Sequence, residues 1–391
     1  MPSPFPDTQP TALRSGNVPR LWRFALDHLL LLPIGAAIAL VWANTAAESY
    51  YSVTQVLSPW VNDVAMVFFF GLMAKEVVEA TVPGGVLHPW QRAALPVIAA
   101  VGATVCSAAI YMPAVDLLDE PGLTVAWPVI FGTDIAVSYF VARVIFRSHP
   151  VVPFVLLIAL ACDALGFIAI GLVQSSATAH LAQGALLMAA AIAVTLALRR
   201  FRVTRFWPYV AIGGGLAWYA FYRAGIHPAM ALVPIVPLMP HAARDPGFFV
   251  DAEPDAPDAL SQYERWWRYP SHFAVLLFGL VNAGVSFGAL EAGTWGIPIG
   301  ALIGRPLGLM IGVAVALAVG LHLPRGVGWR ELAVTGFILA IGFGIGLFFC
   351  AVLLPAGQLR HETSMGMLLT LSGMPLAFLA ARALHVGRFT P

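Results

Sequence analysis

Twelve apolar windows of about 20 residues follow one another along this chain, and each is long enough to cross a bilayer as a helix. Hydrophobic residues make up 59% of the 391 residues and charged residues only 10%, whereas soluble domains carry about 25% charged residues. The sequence therefore predicts an all-α protein of the lipid bilayer with about twelve transmembrane helices, and nothing in it indicates nucleic-acid binding. The windows are centred near residues 35, 69, 103, 135, 162, 189, 214, 232, 278, 306, 343 and 373.

Lysine and arginine are distributed unevenly among the joints between these windows. Eighteen of the 21 lie in the N-terminal tail, after even-numbered windows or in the C-terminal tail, and the exceptions are Arg223, Arg305 and Arg360. Cytoplasmic loops carry the excess of positive charge in membrane proteins. We therefore expect both termini in the cytoplasm, which an even number of spans allows.

The polar segments define the expected domain limits. The long joint between the eighth and ninth windows contains the acidic, proline-rich stretch DAEPDAPD, a composition typical of flexible linkers. We expect a disordered cytoplasmic tail at 1–24, a transmembrane domain at 25–385 that includes a flexible cytoplasmic linker at 241–268, and a C-terminal tail at 386–391.

Three charged residues lie inside apolar windows. Asp163 is the only formal charge between Val151 and Ala179, and Asp134 and Arg305 each lie in another apolar run. An ionised side chain at the centre of a bilayer costs about 2.5–3.5 kcal/mol on insertion scales, so such residues mark an ion or proton path by default.

Two windows carry signals for a broken helix at mid-depth. Pro128 precedes Gly132-Thr133-Asp134 in the fourth window, and ILAIGFGIGLFF in the eleventh has glycine at alternate positions. Their corresponding positions in two halves predict inverted repeats with two discontinuous helices. Half-helix ends carry opposite partial charges, which Asp134 and Arg305 can neutralise; an ion-liganding role for Asp134 remains the alternative. The fifth window has no break, so Asp163 is interpreted as a transport residue.

At these residues the chain resembles the NhaA family of sodium/proton antiporters. The similarity extends from about Asn62 to the C-terminal tail. It includes the segments NDVAMVFFFGL (62–72), QRAALPVIAAVGA (91–103), WPVIFGTDIA (127–136), FVLLIALACDALGFI (154–168), GIHPAMALVPI (225–235), VNAGVSFGAL (281–290), IGRPLGL (303–309) and ILAIGFGIGLFF (338–349).

The resemblance assigns roles residue by residue, with some departures. The second acid of the family's Asp-Asp pair, its cation and proton carrier, maps to Asp163, whereas the first maps to Cys162. The family's Thr-Asp maps to Thr133 and Asp134, its Asn-Asp to Asn62 and Asp63, and its lysine to Arg305. A serine in the family's second broken helix maps to Gly346.

Two further family features are poorly matched. The acidic and histidine cluster linked to pH sensing is not recognisable, with Met73 near an expected glutamate, and no sensor is assigned. The loop TAAESYYSVTQVLSPW is shorter than the dimer-forming β-hairpin of the family, so a homodimer is left open. Asp63 is interpreted as an ion-entry or supporting residue.

The resemblance implies Na⁺ (or Li⁺) export across a bacterial inner membrane in exchange for H⁺ by alternating access. Asp163, the Thr133 hydroxyl and carbonyls freed by the break provide oxygen ligands for Na⁺, whereas the Cys162 thiol is interpreted as a small hydrophobe. Because burial disfavours a charged carboxylate, either a proton or Na⁺ neutralises Asp163. Arg305 keeps its proton, so we expect an electroneutral exchange. Transport of another cation or solute and a non-transporting structural or signalling role are the alternatives. An enzyme is not expected, and no cofactor is implied.

Overall fold

The computed structural model describes residues 31–81, 91–147, 149–175, 180–241, 258–324 and 326–390, and the regular elements within them are all helical. The predicted N-terminal tail and residues 242–257 of the predicted linker lie outside this part of the chain. The α-helices are Leu31–Thr45, Ala47–Pro59, Met66–Thr81, Gln91–Leu117, Ile135–Phe146, Val151–Ser175, Leu181–Arg200, Gly215–Ala224, Ala259–Asn282, Gly296–Ile299, Arg305–Ala318, Trp329–Leu339, Phe343–Leu353, Gln358–Leu369 and Gly373–Ala383.

Shorter helical turns extend several of these helices. Three π-helical segments lie within longer spans, at Trp60–Ala65, Tyr209–Gly214 and Gly300–Gly304. The 3-10 helices are Pro121–Phe131, Pro228–Met230, Val236–Leu238, Phe287–Ala289, Ala292–Trp295, Thr370–Ser372 and Gly387–Phe389.

The number of helices long enough to cross a membrane is smaller than the predicted twelve. Within the described residues, six helices are long and apolar enough, and two bent pairs raise this number to eight. The all-helical membrane fold is confirmed, whereas the total of twelve spans stays a prediction. The window centred on residue 232 does not form a continuous helix but two 3-10 turns. Pro228, Pro234 and Pro237 explain this difference, because proline has no amide to donate within a helix.

Two segments predicted as loops are helical. The short segment that follows the first window forms the helix Ala47–Pro59, which continues into the second span. In the predicted linker 241–268, the helix Ala259–Asn282 begins after Asp258, whose side chain accepts a hydrogen bond from the Ser261 amide. The linker prediction was therefore wrong for its last ten residues, because a capped helix start follows the acidic stretch directly.

The helices form two units, each with its own apolar core. The first, which we call the crossing unit, comprises the described residues 91–147, 149–175, 292–324 and 326–390, and one buried cluster joins its helices. The second, the flanking unit, comprises residues 31–81, 180–241 and 258–282 and is built around another cluster. A third cluster lies where the two units meet. Alternating access in inverted-repeat transporters is a rigid-body movement of one such unit against the other.

Candidate functional site

The centre of the crossing unit is a contact between two broken helices. One pair of helices, Pro121–Phe131 and Ile135–Phe146, is bent by 56°, and the other, Trp329–Leu339 and Phe343–Leu353, by 45°. The two breaks touch through their backbones, because a Cβ atom on Gly132 would lie 2.7 Å from the Gly346 nitrogen. The predicted breaks at both places are thereby confirmed, and only residues without a side chain allow this approach.

Asp134 lies between the two half-helices that begin at this crossing. Its Oδ1 accepts a hydrogen bond from the Val137 amide at 3.0 Å, in the first turn of Ile135–Phe146. Its Oδ2 accepts one from the Gly344 amide at 3.1 Å, in the first turn of Phe343–Leu353. One carboxylate therefore meets two positive helix ends, and both of its oxygens have a donor.

Arg305 lies at the complementary pair of helix ends. The side chain is fully buried, and its Nη2 donates to the carbonyls of Ile130 and, at 2.8 Å, Gly132. Its Nη1 donates to the Leu339 carbonyl and, at 2.6 Å, to the Thr133 hydroxyl. The planar guanidinium thus donates to the carbonyl ends of both broken helices. The ammonium group of a lysine is a compact point charge without this fork of donors.

Asp163 approaches the same crossing from the helix Val151–Ser175. Its side chain is 4% exposed, and its Oδ1 accepts a hydrogen bond from the Thr133 amide at 2.7 Å. Its Oδ2 is buried and has no hydrogen-bond partner among the described residues. Buried carboxylate oxygens are rarely left without a donor, so this atom is the candidate binding point for a proton or a cation at the crossing.

The sodium ligands expected from the sequence are only partly free. Two of the carbonyls released by the first break, those of Ile130 and Gly132, accept hydrogen bonds from Arg305. The Thr133 hydroxyl also accepts from Arg305, although a hydroxyl oxygen has a second lone pair. The free oxygen of Asp163 is therefore the chief anionic ligand that the crossing offers to a hard cation.

The other two residues singled out from the sequence have different surroundings. Cys162 is fully buried in the apolar core of the crossing unit, with its thiol beside Thr133. Asp63 lies in the π-helical segment of the flanking unit, with its Oδ1 3.3 Å from His227 Nε2. The structure therefore brings Thr133, Asp134, Asp163 and Arg305 together, with Cys162 adjacent, and gives Asp63 another partner.

A cavity of about 50 Å³ lies between the two units beside Asp134. Met66 and Met73 line it from the flanking unit, as do Val275 and Phe278. The carboxylate of Asp134 is the only charged group among its described lining residues. Asp163 does not line this cavity, so its free oxygen is closed off in this conformation.

A buried ionic cluster in the flanking unit was not predicted from the sequence. Lys75 is fully buried, and its Nζ lies 2.7 Å from Glu79, 3.0 Å from Glu264 and 3.4 Å from Glu76. The i,i+4 spacing of Lys75 and Glu79 was a signal for part of it. Glu264 follows Lys75 by 189 positions, and only the fold brings the two together.

The crossing of two broken helices around buried charges defines an inverted-repeat secondary transporter. Comparison with known proteins agrees, because residues 25–381 match the family model described as Na⁺/H⁺ antiporter 1. The chain belongs to this family.

Curated relatives cover nearly the whole chain. The Na⁺/H⁺ antiporter NhaA of Geobacter sulfurreducens is 35% identical over 366 residues, which span 90% of this chain and 95% of the relative. The protein of the same name from Desulfitobacterium hafniense is 35% identical, over 93% and 96%. That of a Jannaschia species is 34% identical, over 95% and 98%.

Proposed function

We propose that this protein exchanges Na⁺ for H⁺ by alternating access, with Asp163 as the shared carrier of both ions. The observation that carries the proposal is the difference between the two buried aspartates. Asp134 has a donor for each oxygen, whereas Asp163 has one oxygen without a partner among the described residues. Burial without a second partner disfavours the charged carboxylate, so a proton or a Na⁺ ion neutralises it, and the neutral carrier crosses at low cost.

The neighbouring residues have supporting roles in this proposal. Asp134 neutralises the two half-helix N-termini and stays ionised, and Arg305 neutralises the carbonyl ends. The Thr133 amide orients Asp163, and its hydroxyl supplies an oxygen ligand for Na⁺. Cys162 fills space beside the site, since a thiol is a poor ligand for a hard cation.

The proposal places the protein in a bacterial inner membrane with both termini in the cytoplasm. The distribution of lysine and arginine along the chain supports this orientation. In this orientation Arg143 and Arg330 face the cytoplasm, and the turn at Asp119 and the segment after Leu353 lie on the outer side of the membrane.

Sodium-driven proton movement in proteoliposomes tests the proposed exchange. A pulse of external Na⁺ is expected to move protons out of liposomes that contain the protein, as reported by a trapped pH dye. Potassium and choline pulses of the same ionic strength are the controls. A response to another cation only would favour different cargo on the same fold. No response to any cation from folded protein would favour a non-transporting role.

We expect the exchange to be electroneutral, one proton for each Na⁺. Arg305 keeps its proton, both oxygens of Asp134 have amide donors, and Cys162 replaces a second carboxylate, so Asp163 is the one carboxylate of the described crossing that is left to exchange ions. Each elementary charge moved across the membrane is worth about 2.3 kcal/mol per 100 mV. Potentials set with potassium and valinomycin should therefore leave the equilibrium Na⁺ distribution unchanged, and a distribution that follows the potential would contradict the stoichiometry.

A further inference from the structure

We propose that Arg360, Asn282 and Asn62 form a latch that holds the two units together on the side of the membrane opposite the cavity. The latch must open for the protein to face that side. This inference rests on the proposed alternating exchange, and it concerns residues outside the ion site. It gives a function to an arginine that the charge distribution along the chain leaves unexplained.

Arg360 connects the two units directly. It lies in the first turn of Gln358–Leu369, which packs within the crossing unit against Phe343–Leu353. Its Nη2 donates a hydrogen bond to Asn282 Oδ1 at 3.1 Å. Asn282 is the last residue of a flanking-unit helix, so this bond crosses the boundary that must move.

The acceptor is fixed within the flanking unit. Asn282 Nδ2 donates to Asn62 Oδ1 at 2.9 Å and to the Phe278 carbonyl at 3.0 Å. Asn62 Nδ2 donates in return to Asn282 Oδ1 at 3.2 Å and to Ser58 Oγ at 3.1 Å. Asn62 and Asn282 are 7% and 9% exposed. The paired amides therefore present Oδ1 in a fixed position to the arginine.

The partner of Arg360 is suited to a contact that must break. Within the described segments, no carboxylate lies in salt-bridge range of Arg360. A hydrogen bond from a cation to a neutral amide is exchanged for water more easily than a buried ion pair is separated. A second contact crosses the same boundary, because the rings of Tyr51 and His361 stack with centroids 6.0 Å apart.

The latch and the cavity lie at different depths of the same boundary. Asn282 is four residues beyond the cavity residue Phe278 and seven beyond Val275, which is about 6–10 Å along the helix axis. Asn62 precedes the cavity residues Met66 and Met73 by four and eleven residues, or about 6–16 Å. A cavity thus separates the two units beside Asp134, whereas a hydrogen bond and a ring stack join them at Arg360 and His361.

A reversible cross-link between the units tests the latch. In a Cys350→Ala background, because Cys350 lies near Arg360, the pair Asn282→Cys and Arg360→Cys is linked with a short bis-methanethiosulfonate reagent in proteoliposomes. Exchange is expected to stop in the linked protein and return after reduction. The matched control, Asn62→Cys with Asn282→Cys, links two residues of one unit and should leave exchange at the rate of its reduced form.

Each outcome of this experiment bears on the latch. Failure of the first pair to cross-link, or full exchange in its linked form, would overturn the proposal. Absence of exchange in the wild-type protein would count against the proposed function, and the latch is then decided by the rates of amide hydrogen exchange.

Hydrogen–deuterium exchange then tests the latch without ion flux. Arg360→Gln should speed amide exchange roughly tenfold at 282–285 and 358–361, whereas the exposed Arg382→Gln should not. Equal rates in the two variants would refute the latch.

Discussion

Replacing Asp163 with asparagine is expected to reduce sodium-driven proton movement to the rate of empty liposomes while the protein stays folded. The amide cannot bind and release a proton, and it carries no charge for Na⁺ to neutralise. Its oxygen still accepts from the Thr133 amide, and the substitution removes a buried acid whose ionised form has an oxygen without a donor among the described residues. The thermal stability in detergent should therefore be equal to that of the wild type or higher.

Two controls separate this effect from a general loss of structure. Asp116→Asn makes the same chemical change at an exposed position near the end of Gln91–Leu117 and should leave exchange unaffected. Asp134→Asn places an amide group where both oxygens accept from backbone amides, so it should lower stability as well as exchange. Substantial exchange by folded Asp163→Asn protein would show that another group carries the ions.

Replacing Arg305 with methionine is expected to destabilise the protein by about 3–5 kcal/mol, as removal of one partner from a buried charged network does. The substitution leaves the carbonyls of Ile130, Gly132 and Leu339 without their donor in the core. These carbonyls belong to the ends of both broken helices, so both lose the group that neutralises them. The temperature of aggregation in detergent, followed by size-exclusion chromatography, measures the effect.

Arg305→Lys is the matched variant, because it keeps the charge and gives up the planar fork of donors. Its stability should lie between those of the wild type and Arg305→Met. A stability of Arg305→Met equal to that of the wild type would mean that the half-helix carbonyls are neutralised by another group. The lysine variant also tests stoichiometry, because a buried lysine can release a proton. A potential-dependent Na⁺ distribution that appears only in this variant would support the role of Arg305 in electroneutral exchange.

The crossing of the two broken helices is predictable from the sequence because few residue types are tolerated at that position. Glycine is needed where two backbones touch, as at Gly132 and Gly346, and a charge inside an apolar window needs a compensating partner. The broken helices and the charges beside them were therefore predictable. The pairing of Asp134 with the N-terminal ends of the half-helices, and of Arg305 with their carbonyl ends, follows from the same reasoning.

Other features depend on contacts that no local pattern indicates. The Arg305 fork engages two of the carbonyls that we expected to be free for Na⁺, which depends on the distance between helices and not on residue type. Asn62 and Asn282 are 220 positions apart. Met367 lies where a side chain at Gly346 would be, so a departure from the family pattern is accommodated by a residue on another helix.

The most direct test of the shared carrier is the proton release that follows Na⁺ addition to purified protein in a weakly buffered detergent solution. If one carboxylate binds either ion, Na⁺ should displace about one proton per chain from the wild type at a pH where Asp163 is protonated, and none from Asp163→Asn. Choline should displace none from either protein. Wild-type protein that binds Na⁺ without releasing a proton, or equal release from the variant, would contradict the account.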